Sequence, residues 1–181
     1  MIVYINSSEG FLIDVDSNKI SDRIKEAYFE KSGKTKFNDK EDSSWINSME
    51  FMGKIIRRSN IAKDCGIMIE FGLPSTSKRI DFIVSGKDEI GKKNFIIVEL
   101  KQWKEAQSTS KNDLVLTKYY NGNYSTHPSY QASSYKGFLS DFNENVYNST
   151  LTPFSCAYLH NYTEQNPEPL NEPIYKDVVS D

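Results

Sequence analysis

The sequence predicts an α/β protein, and three features carry that reading. Apolar residues recur at helical spacing up to residue 58. Three apolar runs of strand length follow between residues 65 and 101, and a helical pattern and one more apolar run complete the order. At 181 residues, with 38% hydrophobic and 26% charged residues, the chain is long enough for one domain with a real core. No apolar run approaches the roughly 20 residues a membrane-spanning helix needs, so no membrane partner is expected. The N-terminus lacks a basic segment and turns polar at Asn6, so it does not read as a signal peptide, and a cytoplasmic protein is expected.

Three helices open the chain, over residues 9–15, 21–31 and 43–58. In the third, Trp45, Met49, Met52 and Ile56 follow at spacings of four, three and four and form one apolar stripe, with Ser43 or Ser44 placed to cap it. Residues 33–42 read as a polar loop. Residues 65–73 alternate and break at Gly72 and Pro74, giving a first strand; 78–84 and 94–101 give the second and third, joined by a loop over 85–93. Residues 115–120 and 123–126 flank Asn121-Gly122, a strong two-residue turn signal, so an inserted β-hairpin is expected. Pro128 suits the first turn of a helix whose apolar positions are Tyr135, Phe138, Leu139 and Phe142. Residues 154–159 read as a further buried strand. Beyond Asn161, Pro167, Pro169 and Pro173 stand among five acidic residues with little periodicity. Residues 1–163 therefore read as the domain and 164–181 as an acidic tail or linker. Cys65 and Cys156 are isolated and are expected to be buried free thiols.

The chemistry concentrates in the second and third strands. Asp81 lies within Ile80-Asp81-Phe82-Ile83-Val84, and Glu99 ends the apolar run Phe95-Ile96-Ile97-Val98, where a carboxylate is costly without a partner. Side chains alternate along a strand, so Glu99 and Lys101 project one way while Leu100 points the other. If the two strands are neighbours, Asp81 and Glu99 converge. Paired carboxylates resist joint ionisation unless a cation neutralises them, and oxygen ligands favour Mg2+ or Mn2+ over zinc. Lys101 then adds a fixed positive charge. Gln131 and Tyr135, four apart, share one helix face, with His127 just ahead of its start. Glu70 on the first strand and Glu50 on the third helix are further acid candidates, Glu50 lying off the apolar stripe and reading as surface.

Net charge is -3, but it is unevenly spread. Residues 78–118 carry nine basic and six acidic residues, whereas residues 141–181 carry seven acidic residues against Lys176 alone. The candidate site thus falls in the basic stretch, as phosphate contact requires. Two other motifs are set aside. Residues 86–93 nearly spell a phosphate-cradling loop, yet they place Lys93 where a hydroxyl must bind Mg2+ and join strand to strand. Asp14, Asp16 and Asn18 mimic the start of a calcium loop, but Lys19 holds the glycine position and no glutamate falls at the twelfth place.

With Asp81, Glu99, Lys101, Gln131 and Tyr135 in place, the chain resembles the PD-(D/E)XK nuclease superfamily. Stretches at 70–72, 79–82, 98–103, 127–131 and 157–162 resemble the N-terminal region of bacterial proteins that join such a domain to a Schlafen-group-3-type (DUF2075) helicase. The resemblance implies a restriction-endonuclease-like fold, a central mixed sheet flanked by helices. It implies that Asp81, Glu99 and the Leu100 carbonyl hold Mg2+ or Mn2+, that Lys101 serves the attacking water and the developing phosphate charge, and that Gln131 and Tyr135 line the cleft. It further implies a nuclease acting on DNA, with an ATPase/helicase domain following in the same protein. Isoleucine precedes Asp81 here, where the superfamily's short label has proline.

Overall fold

The computed structural model describes residues 3–117, 124–148, 150–163 and 168–179. The chain runs β1 (Tyr4–Ser7), α1 (Ser8–Asp16), α2 (Ile20–Ser32), α3 (Asp39–Arg58), β2 (Gly66–Gly72), β3 (Arg79–Lys87) and β4 (Lys93–Lys101). It continues with β5 (Leu114–Leu116), β6 (Tyr124–Thr126), α4 (Pro128–Phe142), α5 (Glu144–Tyr147) and β7 (Thr152–Leu159). Two 3-10 turns, Glu168–Leu170 and Pro173–Tyr175, lead to α6 (Lys176–Val179). The protein is α/β. One mixed sheet, ordered β1-β2-β3-β4-β7, is antiparallel throughout except for the parallel β4-β7 pair at its edge.

Helices cover both sides of the sheet. On one, Phe11, Ile24, Trp45, Met49, Met52 and Ile56 of α1–α3 pack against Ile67, Ile69, Phe82 and Val98. On the other, Tyr135 and Leu139 of α4 and Val146 of α5 pack against Ile80, Ile83, Phe95 and Ile97. The stripe expected on α3 is buried at all four positions. The helix starts at Asp39, four residues before the expected 43, because Asn38 and Glu41 form a reciprocal capping box that replaces the serine caps. The loop expected over 85–93 shrinks, because Ser85, Gly86 and Lys87 continue the ladder to Phe95, Asn94 and Lys93. Gly91 (φ 81°) closes the remaining turn, and Asp88 Oδ1 accepts from the Ile90 and Lys92 amides.

Other elements differ from the sequence reading because of their strand neighbours. Strand β1 was not expected, because its four residues are too few to show a pattern; it is secured by pairing with β2. The run at 154–159 is an edge strand, not a buried one: it pairs with β4 alone, and Phe154 is 52% exposed beside Ile96 at 40%. Cys156 is accordingly exposed, while Cys65 is half-buried; both are free thiols. Strands β5 and β6 pair antiparallel as a separate two-stranded sheet, and Asn121-Gly122 between them lies outside the described residues.

Residues 168–179, which composition reads as linker, pack as part of the domain. Leu170 and Tyr175 are buried with Trp103, Ala106 and Val115. Tyr175 donates to the Leu114 carbonyl at 2.7 Å, accepts from the Thr109 amide at 2.9 Å, and packs its ring, tilted by 35°, 4.6 Å from that of His127, whose Nε2 lies 3.1 Å from the Leu170 carbonyl. Replacing Tyr175 with alanine should lower stability by about 3 kcal/mol and replacing it with phenylalanine by about 1 kcal/mol, as read from urea midpoints. Deleting residues 164–181 should likewise lower the midpoint; an unchanged midpoint would mean that the segment is the linker its composition suggests.

Candidate metal centre

The β3-β4 ladder runs from Lys87 and Lys93 to Phe82 and Val98 and stops there. One further step of that register sets Asp81 beside Glu99. On the other side of β3, the pairs Ile69 with Phe82 and Phe71 with Ile80 set Asp81 beside Glu70. Carboxylates from three adjacent strands therefore share one row of the sheet.

That row is irregular. Glu70 adopts φ 56°, in the left-handed region that side chains rarely occupy. Ile69 and Phe82 pack with α1–α3, whereas Phe71 and Ile80, each two residues along its strand from them, pack with α4. An undisturbed strand keeps residues two apart on one side, so both β2 and β3 change sides at Glu70 and Asp81. Past the end of the ladder, the Leu100 amide donates to Asp81 Oδ2 at 2.9 Å instead of to a strand carbonyl.

On the α4 side four residues form one chain. Lys101 Nζ donates to Glu99 Oε1 at 2.6 Å and to Gln131 Oε1 at 3.1 Å, and Gln131 Nε2 donates to the Tyr135 hydroxyl at 2.9 Å. Glu99 is 1% exposed, and its second oxygen, Oε2, is buried without a hydrogen-bond partner. Burial, and then the neighbouring Glu99 charge, push the Asp81 carboxyl well above the usual carboxylate range, while the Leu100 amide opposes them. Burial also pushes Glu99 up, with Lys101 pulling it back. Tyr135 is raised by burial and then by Glu99.

Glu70 is engaged elsewhere. Its Oε1 accepts from Trp45 Nε1 at 3.0 Å, and its Oε2 accepts from the Tyr28 hydroxyl at 2.8 Å and faces Arg79 Nε at 3.3 Å. Glu50 is exposed on α3. Among the described residues, no three His, Cys, Asp or Glu side chains form a group able to hold a metal ion. The available donors are two carboxylates, Asp81 and Glu99, with backbone oxygen. Mg2+ keeps several waters and takes only one or two protein carboxylates, so this set and the unpartnered Glu99 oxygen fit a hard divalent cation.

Helix α3 roofs the centre. A pocket of about 100 Å³ is lined by Asp81, Glu70 and Leu100 below and by Ser44, Trp45 and Ser48 above. It shares Ser44 with a cavity of about 360 Å³ reaching Arg79 and with one of about 660 Å³ reaching Lys101, Gln102 and Ser125. Gln102 Nε2 donates to Ser44 and Ser48, and His160 Nε2 lies 3.1 Å from Ser48 Oγ, so α3 is tied to the ends of β4 and β7. The sequence reading missed Tyr28, Arg79, Gln102 and Ser48, and treated Trp45 as core alone. The one local signal was the indole N–H of Trp45, which when buried needs an acceptor.

Both raised carboxyls bind protons more readily folded than unfolded, so the stability they contribute is present below about pH 4 and is lost as pH rises through their folded values. The wild-type urea midpoint should therefore fall, relative to that of Glu99→Gln, as pH climbs from about 4 to 8. Mg2+ or Mn2+ should raise the wild-type midpoint more at about pH 8 than at about pH 5, and should do little for the variant. An equal metal effect at both pH values would contradict a carboxylate-held cation. Compared with known proteins, the chain matches no family model, no curated protein and no solved structure.

Proposed function

We propose that the chain is a metal-dependent nuclease domain that hydrolyses phosphodiester bonds of DNA with Mg2+ or Mn2+. The observation that carries this reading is the meeting of Asp81, Glu99 and Lys101 where the β3-β4 ladder opens, with one oxygen of buried Glu99 left unpartnered. Asp81, Glu99 and the Leu100 carbonyl would hold the cation. When bound, it would polarise a phosphoryl oxygen and lower the pKa of a coordinated water.

The chain's own side chains supply the rest. Lys101 holds a proton at Nζ between Glu99 and Gln131, where a positive charge offsets charge developing on a phosphate. Gln131 fixes that ammonium through Oε1, and Tyr135 fixes Gln131 in turn. Residues predicted from two separate stretches thus act as one connected unit. Trp45 and Met49 of α3 line the apolar part of the pocket at Asp81.

The resemblance to the PD-(D/E)XK superfamily supports the same reading and extends it to a restriction-endonuclease-like fold, an attached ATP-dependent helicase domain and a role in DNA restriction, defence or repair. A second reading, a nucleic-acid-binding module without turnover that loads such a helicase, draws on one observation: Glu70 is taken up by Tyr28, Trp45 and Arg79, leaving two carboxylates.

Labelled single- and double-stranded DNA, incubated with the chain and Mg2+ or Mn2+ against EDTA, separates the two. Cleavage should require metal and should fall about a thousandfold or more in Lys101→Ala and Asp81→Asn, with circular dichroism confirming that each variant is folded. Retained cleavage in folded Lys101→Ala refutes the assignment, and metal-independent binding without cleavage supports the module.

A further inference from the structure

The fold brings a third carboxylate to the candidate centre and then ties it up. Glu70 and Asp81 line the same pocket of about 100 Å³, yet both Glu70 oxygens are committed to Trp45, Tyr28 and Arg79. Arg79 holds the outer end of this tie. Its side chain is 44% exposed against 17% for Glu70, and it lines the adjoining cavity of about 360 Å³ together with Lys40. That cavity shares Ser44, Trp45 and Glu70 with the Asp81 pocket, and Glu41 also lines it; with Glu41 paired to Lys34 Nζ at 3.0 Å, the two cations Arg79 and Lys40 suit a phosphate oxygen of nucleic acid.

Such a phosphate competes with Glu70 for the guanidinium, whose fork matches phosphate geometry. Tyr28 transmits the loss, because its hydroxyl accepts from Arg79 Nη1 at 2.5 Å while donating to Glu70 Oε2. The left-handed backbone at Glu70 is a strained conformation that persists only while its surroundings impose it. Independently, Glu99 Oε2 is buried in the same row without a hydrogen-bond partner, so Lys101 alone faces the Glu99 carboxylate, through its other oxygen.

We propose that Arg79 is a phosphate-contacting, positioning residue. In the free protein it holds Glu70 away from Asp81. A nucleic-acid phosphate bound at Arg79 and Lys40 releases Glu70 to join Asp81 and Glu99 toward a divalent cation, so nucleic acid and cation bind cooperatively. The inference rests on the metal-centre reading given under Proposed function.

Mn2+ binding to the full chain, followed through the electron paramagnetic resonance signal of the free ion, tests it. A single-stranded deoxyoligonucleotide, corrected for its own Mn2+ uptake, should tighten wild-type Mn2+ binding about fivefold or more. Tyr28→Phe, which alters no charge, and Arg79→Ala should each tighten Mn2+ binding without DNA, Arg79→Ala should lose the response to DNA, and adding Glu70→Gln should erase both gains. A gain in Arg79→Ala that survives Glu70→Gln is simple removal of a positive charge and overturns the proposal, as does no gain in either single variant. If Asp81→Asn and Glu99→Gln leave Mn2+ binding unchanged, the metal centre fails and takes this proposal with it. If they abolish binding while the Tyr28, Arg79 and Glu70 variants leave it untouched, only the Arg79 relay fails.

Discussion

The hydrogen bond from the Leu100 amide to the Asp81 carboxylate is the contact on which the site geometry turns. A backbone amide past the end of a ladder needs an acceptor, and here a side chain supplies it. That substitution lets β3 and β4 part after Phe82 and Val98 without orphaning the amide, and it holds Asp81 at the opening. Were the ladder to continue, a carbonyl would take the Leu100 amide and Asp81 would have no reason to stay beside Glu99.

Electrostatics makes the arrangement costly in isolation. Glu99 is buried with one compensating ammonium, and Asp81 beside it raises the cost of a second negative charge. A buried ion pair gains little net stability once desolvation is counted, and one left with an unsatisfied oxygen gains less. Hydrophobic packing on both sides of the sheet bears that cost. The α1–α3 cluster holds Ile69 and Phe82 next to the row, and the α4 cluster holds Ile80 and Ile97. Side changes in β2 and β3 at one row let both clusters close around the carboxylates, with Glu70 absorbing the strain in its backbone.

The same packing places the polar helix residues. Tyr135 is anchored in the α4 core while its hydroxyl meets Gln131, so the Lys101 contact inherits the rigidity of α4. Parallel pairing of β7 with β4 brings His160 to Ser48 and sets α3 over Asp81. The closing segment, through Tyr175 and His127, braces the start of α4 from outside.

Periodicity and residue type determined the elements and the chemical candidates. The α3 stripe, the three central strands, α4 and the same-face pairs Glu99 with Lys101 and Gln131 with Tyr135 were legible, because each depends on spacing within a single element. Only the tertiary structure decided what depends on neighbours. It decided that β1 is a strand, that β7 is an exposed edge, that the proline-bearing segment packs on Trp103, and that Glu70 is bound by Tyr28, Trp45 and Arg79. Those outcomes rest on contacts between residues far apart in the chain, and a local pattern carries no information about which distant partner will satisfy a buried group.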